Sequence, residues 1–341
     1  MTTKQKVIDV QNLKVDIDVP AGTLHAVSGI SFHVNQGETL CIVGESGCGK
    51  SITALALMNL LPKKAKLTAD VLTLNGTNLM GLTEREFSKL RGDRMSMIFQ
   101  DPMTSLNPVY RVGDQMEEVF ISHGKGGRRE ANERAQFLLD KVGITAAKSR
   151  LIQYPHQLSG GLRQRIMIAM MLMCDPALII ADEPTTALDV TIQAQILNTM
   201  HAVQKEFNTA MILITHDLGV VARVADQVAV MYAGKFVETG TAVEVFQQPT
   251  HPYTQGLMAC IPTPGQTGHG RLGSIPGIVP SLVGDMDGCL FRNRCASVRA
   301  ECEKGAETPM HMLGEGRGYR CIMSVEECMK RAQVEILSEA S

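Results

Sequence analysis

Eight consecutive residues fit the pattern G-x-x-x-x-G-K-[ST] in full: Gly44-Glu45-Ser46-Gly47-Cys48-Gly49-Lys50-Ser51. They follow an apolar run from Thr39 to Val43, which suits a buried strand. They lead into Lys50 to Leu61, where apolar residues recur at helical spacing until Pro62. Strand, glycine loop and helix form the context that this phosphate-binding motif requires. The stretch therefore predicts an α/β fold of the P-loop type.

The chemistry of phosphate binding explains these residue types. Glycines let the backbone curl so that its N–H groups point at phosphate oxygens, and the helix that follows adds the positive end of its dipole. We expect Lys50 to hold the β- and γ-phosphates of a nucleotide and the Ser51 hydroxyl to ligate Mg²⁺. The predicted ATP-binding residues of this segment are Gly44, Ser46, Gly47, Cys48, Gly49, Lys50, Ser51 and Ile52.

Two adjacent carboxylates follow a second apolar run. Asp182 and Glu183 come directly after Leu178 to Ala181, and ligands of open α/β sheets gather at the carboxyl ends of such strands. Asp182 is predicted to reach Mg²⁺, and Glu183 to act as the general base that polarises the attacking water. A capping pair before Pro184 is the alternative, and the nearby phosphate loop favours the catalytic interpretation.

A third motif, Leu158-Ser159-Gly160-Gly161-Leu162-Arg163-Gln164-Arg165, resembles the signature of ABC (ATP-binding cassette) ATPases. At a helix start, Ser159 and the amides of Gly160 and Gly161 would form a second anion-binding cap. The resemblance implies that this cap closes on the γ-phosphate bound to an opposite subunit, so that two cassettes sandwich two ATP molecules head to tail.

Other ABC motifs occur in the expected order. Gln100, after the predicted strand Met95 to Phe99, resembles the Q-loop glutamine, which contacts Mg²⁺ and water and links the site to a membrane partner. Thr186 to Asp189 resembles the D-loop, and His216 resembles the switch histidine that contacts the γ-phosphate. The resemblance implies catalytic roles for Gln100 and His216 beside Glu183, with ATP and Mg²⁺ as cofactors.

A closer resemblance, to the oligopeptide and dipeptide importer ATPases, spans about residues 8–321. It is carried by the strings Phe99-Gln100-Asp101-Pro102-Met103-Thr104-Ser105-Leu106-Asn107-Pro108, Tyr154-Pro155-His156-Gln157 and His251-Pro252-Tyr253-Thr254. It implies a second, homologous ATPase subunit, two membrane permeases, an extracytoplasmic binding protein, and a peripheral place on the cytoplasmic face of the bacterial inner membrane. The alternatives are a related importer of nickel, glutathione, opines or antimicrobial peptides, and a soluble ABC ATPase acting on nucleic acid.

Composition bears on those alternatives. The 341 residues carry 33 Lys and Arg against 35 Asp and Glu, so no excess of positive charge favours nucleic acid as a partner. No apolar run approaches the roughly 18 residues of a membrane span, and the start of the chain has no apolar segment of a signal peptide. We therefore expect a chain that is neither secreted nor embedded in the membrane.

The domain organisation follows from the motifs and from a change in composition. Residues 1–255 are predicted to form the ABC nucleotide-binding domain, a RecA-like core with an antiparallel β subdomain and a helical subdomain at about 103–165. The stretch from Pro262 to Pro280 is rich in Pro and Gly and marks a transition. Residues 256–341 are predicted to be a small C-terminal extension with a four-cysteine motif.

The tail cysteines Cys289, Cys295, Cys302 and Cys321 are spaced as C-x5-C-x6-C-x18-C. Four thiolates could hold one zinc ion or an iron–sulfur cluster, or they could remain unligated. The spacing lacks the C-x2-C pairs of zinc ribbons. It also resembles the C-terminal pattern of peptide-importer ATPases, some of which carry a [4Fe–4S] cluster, and this resemblance favours a cluster.

Two positions depart from the family pattern. Ile17 occupies the place of the aromatic residue that usually stacks on adenine, so we expect ATP to bind with weak base discrimination. Cys48 stands where serine is common. Its thiol could have a lowered pKa beside Lys50 and a helix start, and a thiol reagent would then block ATP hydrolysis. The alternative is an inert small residue.

Overall fold

The computed structural model describes residues 5–100, 105–185, 189–260, 275–284, 287–303 and 308–330. It contains two sheets. The strands of the antiparallel sheet are β1 (Lys6–Val19), β2 (Gly22–Asn35), β4 (Ala65–Thr68), β5 (Val71–Leu74) and β6 (Thr77–Asn78). Strand β1 lies between β2 and β5, and β4 also pairs with β1. This sheet matches the predicted antiparallel subdomain.

The central sheet has the order β12-β13-β11-β10-β3-β9-β8-β7. Its parallel strands are β3 (Thr39–Val43), β7 (Met95–Ile98), β8 (Leu178–Asp182), β9 (Ala210–Thr215) and β10 (Gln227–Tyr232). The antiparallel strands that extend it are β11 (Lys235–Thr241), β12 (Met310–Met312) and β13 (Gly318–Arg320). Residues of the predicted C-terminal extension thus add two strands to the main sheet.

The helices lie between these strands. They are α1 (Lys50–Leu57), α2 (Glu84–Leu90), α3 (Val112–Ser122), α4 (Arg128–Lys141), α5 (Ala147–Leu151), α6 (Gly160–Met171), α7 (Val190–Phe207), α8 (Leu218–Val224), α9 (Ala242–Gln247) and α10 (Pro252–Ala259). In the part of the chain that the structure describes, no helix combines the length and the apolar character of a membrane span.

Two helices end earlier than their apolar spacing predicts. The helix predicted to reach Leu61 ends at Leu57, because Asn59 adopts a left-handed φ of 52° and turns the chain before Pro62. Helix α6 ends at Met171 although its apolar run continues to Cys174, and Asp175 likewise has a positive φ of 54°. Leu172, Met173 and Cys174 stay buried beyond the end of this helix.

Strand β3 is buried on both faces, which explains its uninterrupted apolar sequence. Leu40 and Ile42 point into one core, shared with β1, α1 and α2, while Cys41 and Val43 point into a second core formed largely with α3, α4 and α6. Alternate side chains of a strand face opposite sides, so this single strand joins both cores. The loop that follows it is thereby anchored from two directions.

Candidate nucleotide site and its C-terminal contacts

The phosphate loop lies between β2 and β10, and these strands come so close that two loop positions have room only for glycine. A Cβ at Gly44 would stand 2.1 Å from the carbonyl oxygen of Met231, and one at Gly49 would stand 2.4 Å from that of Ala26. Their φ values of 154° and 108° also lie in the region that favours glycine. The neighbouring strands therefore dictate the glycines and give the loop its curl.

Lys50 lies at the start of α1 with 4% of its surface exposed. Its ammonium group donates hydrogen bonds to the carbonyl oxygens of Gly44 and Glu45, each at 2.8 Å. The side chain therefore folds back over the loop instead of extending into solvent. Gly49 is the N-cap residue of α1 and has no side chain to cap the helix. Backbone N–H groups of the first turn are therefore available to an anion.

The Ser51 hydroxyl faces the end of β8, where its Oγ lies 3.1 Å from Oδ1 of Asp182. Asp182 is 4% exposed, and burial raises the pKa of its carboxyl, while the hydrogen bond from Ser51 opposes that shift. The structure thus joins the two oxygen groups predicted to hold Mg²⁺. A hydroxyl and a carboxylate are hard oxygen ligands that suit this cation.

Glu183 lies between Gln100 and His216. One carboxylate oxygen is 3.4 Å from His216 Nδ1, and the other is 3.5 Å from Gln100 Nε2. The three residues follow or end β7, β8 and β9, which are adjacent parallel strands, so their carboxyl ends share one edge of the sheet. The structure therefore brings together all three predicted catalytic residues.

The backbone at Glu183 is unusual for its residue type. Its φ is 46°, in the left-handed region, and its N–H donates to the carbonyl oxygen of Ile214 at 2.9 Å. This turn comes directly after Asp182, so the two neighbouring carboxylates face different partners, Ser51 for one and the Gln100 and His216 pair for the other. Such local strain clusters at functional sites.

The signature segment lies at the start of α6, with Ser159 as the residue before its first turn. Ser159 is exposed, and its side chain makes no capping hydrogen bond. Across the described ranges, no hydrogen bond joins Ser159, Gly160 or Gly161 to the phosphate loop of the same chain. The D-loop prediction cannot be placed, because Thr186 to Leu188 lie outside the described residues.

Comparison with known proteins identifies the family. The ABC transporter family profile matches residues 27–186, and the profile of the oligopeptide/dipeptide transporter C-terminal region matches residues 237–302. The dipeptide transport ATP-binding protein DppD of Bacillus subtilis is 50% identical over 301 residues, which cover 88% of this chain and 90% of that protein. The chain belongs to the oligopeptide/dipeptide transporter family of ABC ATPases.

Two further similarities agree with this ABC assignment. The oligopeptide transport ATP-binding protein OppD of Salmonella typhimurium is 48% identical over 322 residues, covering 94% of this chain and 95% of that protein. A bacterial ABC transporter cassette that was solved as a dimer superimposes with a TM-score of 0.61 at 25% identity, covering 69% of this chain and 98% of the cassette. The predicted ABC cassette fold is confirmed.

The structure bears on the two positions that depart from the ABC pattern, Cys48 and Ile17. Cys48 is fully buried, and desolvation raises the pKa of its thiol, although Lys50 opposes the shift. The hypothesis of a low-pKa, reactive Cys48 is therefore wrong, because loss of hydration outweighs the nearby positive charge. Ile17 is half-buried on β1, where it pairs with Leu24 and Ala65 and packs against a core, so its aliphatic identity fits the strand.

The C-terminal part of this ABC chain contacts the phosphate loop directly. Arg294 forms a two-pronged ion pair with Glu45, at 2.6 Å and 2.9 Å. The backbone N–H of Glu45 also donates to the Tyr253 hydroxyl at 3.0 Å. Sequence reasoning missed both contacts, although Tyr253 belongs to a quoted family motif and Arg294 lies between two of the tail cysteines.

Gln164, in the signature segment, is a third functional residue that sequence reasoning did not single out. It is 1% exposed, and its Nε2 donates to the carbonyl oxygen of Pro184 at 2.6 Å. Pro184 directly follows Glu183, so α6 is tied to the turn that carries the predicted general base. Gln164 lies between Arg163 and Arg165, so the local sequence gives no signal that its side chain is buried.

The four tail cysteines line one small cavity beside His251 and Phe291. Backbone N–H groups of Phe291, Ser297 and Met323 donate to Cys289, Cys295 and Cys321 respectively. The pKa of Cys321 is lowered to about 7, first because the Cys328 thiol donates a hydrogen bond to it. Amide and thiol donors of this kind stabilise thiolates.

The same cysteines do not form a site for a single metal ion. Over the ranges that the structure covers, no group of three or more His, Cys, Asp or Glu residues is placed to hold one. Zinc with Cys ligands needs tetrahedral Zn–S bonds of about 2.3 Å, which bring the four sulfurs close together. The described residues therefore do not by themselves establish any metal group in this extension.

Proposed function

We propose that this ABC ATPase is the motor subunit of a bacterial importer and couples ATP binding and hydrolysis to uptake of di- or oligopeptides. The observation that carries the proposal is the convergence of Ser51, Asp182, Glu183, Gln100 and His216 at one edge of a parallel sheet. The names of the related proteins supply the transport context.

Nucleotide binding is assigned to the phosphate loop and the residues around it. We propose that the phosphates bind to Lys50 and to backbone N–H groups of the loop. These N–H groups are those of Gly44, Ser46 and residues 47–52. Ser51 and Asp182 would hold Mg²⁺, with Gln100 as a further oxygen ligand. Bound Mg²⁺ would neutralise charge that develops on the phosphates during hydrolysis.

Glu183 is proposed as the general base. A water between its carboxylate and the phosphates would lose a proton to it as the water oxygen attacks. His216 and Gln100 both contact Glu183 and would orient its two oxygens. Gln164, through Pro184, would hold the turn that presents this carboxylate. His216 is itself 65% exposed at the side chain, which suits a residue that must also reach a γ-phosphate.

A second subunit is needed to complete the site. Ser159, Gly160 and Gly161 form an exposed or half-exposed helix start that has no hydrogen bond to the phosphate loop of their own chain in the described residues. We infer that they close on ATP held by a homologous ATPase subunit in a head-to-tail heterodimer. A related cassette was solved as a dimer, which supports this arrangement.

Permease contact is assigned to the helical subdomain, the proposed 103–165 unit. Val109, Tyr110 and Ile152 expose 71%, 56% and 64% of their surfaces. The N–H of Val112 donates to the carbonyl oxygen of Gln153 at 2.9 Å, so the two segments that carry these exposed side chains lie next to each other. An exposed apolar patch of this kind marks an interaction site. We propose two membrane permeases as partners and a peripheral location on the cytoplasmic face of the inner membrane.

An extracytoplasmic binding protein would deliver the peptide, and the permeases with that protein would select it. Nickel, glutathione, opine and antimicrobial-peptide importers are the alternatives within the same machinery. An ATPase acting on nucleic acid is disfavoured by the balance of 33 basic and 35 acidic residues.

Uptake into proteoliposomes tests the proposal. The chain would be co-purified with the two permeases and the binding protein encoded beside it, and labelled di- and tripeptides would be compared with Ni²⁺ and glutathione. Accumulation of peptide that requires ATP, and that stops with Glu183→Gln, is expected. Uptake of nickel or glutathione without peptide would replace the cargo assignment, and the absence of co-purifying permeases would contradict the transporter role.

We further infer that residues 256–341 form an extension whose four cysteines hold a [4Fe–4S] cluster. The shared cavity, the backbone N–H groups directed at the sulfurs and the lowered pKa of Cys321 support this assignment. Cys289, Cys295, Cys302 and Cys321 would be its ligands.

A further inference from the structure

We propose that Arg294 and Tyr253 are positioning residues that hold the phosphate loop in its nucleotide-binding shape by clamping Glu45. The inference rests on the assignment of Lys50 to the phosphates in the proposed function. The C-terminal part of the chain would then control nucleotide affinity from outside the phosphate loop.

The Arg294 side of the clamp is rigid. Its side chain is 5% exposed, and its guanidinium also donates to the carbonyl oxygens of Pro276 at 2.8 Å and Ile275 at 3.2 Å. The guanidinium carbon lies 5.8 Å from the centre of the Tyr232 ring. Because these contacts fix Arg294 independently of the loop, the two-pronged ion pair imposes a position on the Glu45 carboxylate.

The Tyr253 side is equally constrained. Tyr253 is fully buried, and its ring packs on Tyr232 and Phe291 with centroid separations of 4.7 Å and 5.4 Å. The preceding His251 accepts a hydrogen bond from the Tyr253 N–H at 3.0 Å and so caps α10. The hydroxyl that accepts the Glu45 N–H is therefore held by a packed aromatic group.

Glu45 transmits the constraint to Lys50. Its N–H binds Tyr253, its carboxylate binds Arg294, and its carbonyl oxygen accepts the Lys50 ammonium at 2.8 Å. All polar groups of Glu45 are thus engaged, and one of them holds the lysine that must meet the phosphates. Arg294 also neutralises a carboxylate that would otherwise repel a polyanion from within the loop.

A set of matched variants tests the clamp in the full chain, with Mg-ATP and Mg-ADP affinities and thermal midpoints measured together. Arg294→Gln removes the ion pair and leaves the Glu45 charge uncompensated. We expect Mg-ATP binding to weaken about tenfold, the effect of about 1.4 kcal/mol, and Mg-ADP binding to weaken less, because ADP carries less charge. The double variant Glu45→Gln with Arg294→Gln removes the uncompensated charge but still lacks the ion pair, so we expect most of the loss of ATP affinity to persist.

Arg299→Gln is the control, because Arg299 pairs with Glu327 at 2.8 Å in the same extension without touching the loop. It should leave ATP affinity unchanged. Tyr253→Phe removes one hydroxyl and serves as a milder test if Arg294→Gln folds poorly; a severalfold loss of ATP affinity with a small change in thermal midpoint is expected.

Three results would overturn the clamp: wild-type ATP affinity in both Arg294→Gln and Tyr253→Phe, an equal loss in Arg299→Gln, or full recovery of ATP affinity in the double variant. Lys50→Ala tests the underlying assignment separately. Loss of binding in Lys50→Ala with full binding in both Arg294→Gln and Tyr253→Phe would reject the clamp alone, whereas full binding in Lys50→Ala would reject the assigned nucleotide site.

Discussion

The Oγ of Ser51 lies 3.1 Å from Oδ1 of Asp182, although 131 positions separate the two residues in the chain. One oxygen group comes from the first turn of α1 and the other from the end of β8, and adjacency in the fold brings them together. Asp182 is buried, and burial raises the pKa of its carboxyl. A carboxylate kept in such a place is stabilised when a divalent cation arrives, which supports a role in Mg²⁺ binding.

Asp182→Asn should therefore separate stability from function. Asparagine can still accept the Ser51 hydrogen bond but carries no charge, so we expect a higher thermal midpoint without ligand at pH 7. The same variant should lower Mg²⁺-dependent ATP hydrolysis by about a hundredfold or more, because a charged cation ligand is lost. Calorimetry and a phosphate-release assay would measure the two effects.

The pH dependence gives a second test of Asp182→Asn. Since the folded-state pKa of Asp182 is raised above its unfolded value, its contribution to stability is fully present below the unfolded pKa and is lost as pH rises through the folded pKa. The stability advantage of the variant should thus shrink as the wild type is acidified towards pH 4. An advantage that stays constant over this range would contradict the account.

Glu183→Gln is expected to bind Mg-ATP normally and to hydrolyse it at least about a hundredfold more slowly, because glutamine cannot accept the proton of the attacking water. In the presence of the partner ATPase subunit, ATP should trap a closed dimer that size-exclusion chromatography resolves. Glu206→Gln, at an exposed carboxylate that pairs with Lys141, is the control. Unimpaired steady-state turnover in Glu183→Gln would refute the assigned role.

His216→Ala should reduce hydrolysis by about a hundredfold while leaving the thermal midpoint within a degree or so of wild type. The side chain is 65% exposed, so its removal creates no buried cavity. His33→Ala, on β2 and away from the carboxyl edge of the central sheet, should keep full activity. Equal activity of both variants would remove His216 from the catalytic group.

The local part of the fold could be predicted from sequence because its signals are short-range. Strand β3 has the predicted bounds, since it is an uninterrupted apolar run. Strand β9 is a similar apolar run, and α4 carries apolar residues at helical spacing, so both also follow from local sequence. The convergence of Glu183 with Gln100 and His216 follows from the rule that parallel strands share their carboxyl edge.

What could not be predicted depends on distant contacts. Arg294 and Glu45 are 249 positions apart, and no periodicity or spacing links them. Strands β12 and β13 are three residues long, too short to give an alternating pattern, and only the pairing of β13 with β11 and of β12 with β13 defines them. The pKa of Cys48 was misjudged because sequence shows the neighbouring Lys50 but not the burial that outweighs it.

Cys48 should consequently be unimportant for sensitivity to thiol reagents. Its raised pKa and complete burial keep the thiolate fraction low at pH 8, and the thiolate is the reactive species. We expect Cys48→Ser and the wild type to bind ATP alike and to lose ATPase activity at the same rate under iodoacetamide. Slower inactivation of Cys48→Ser, or protection of the wild type alone by ATP, would show that the loop thiol is accessible after all.

Iron analysis tests whether the four tail cysteines hold a [4Fe–4S] cluster. Anaerobically purified protein should contain about four iron and about four sulfide ions per chain, with the broad visible absorption of a cubane cluster. Cys302→Ala should abolish both, since Cys302 lines the shared cavity, whereas Cys174→Ser, in the core beside α3, should keep them. Stoichiometric zinc without iron would make the extension a zinc site. If neither metal is present, the backbone donors at Cys289, Cys295 and Cys321 serve only to order an unligated fold.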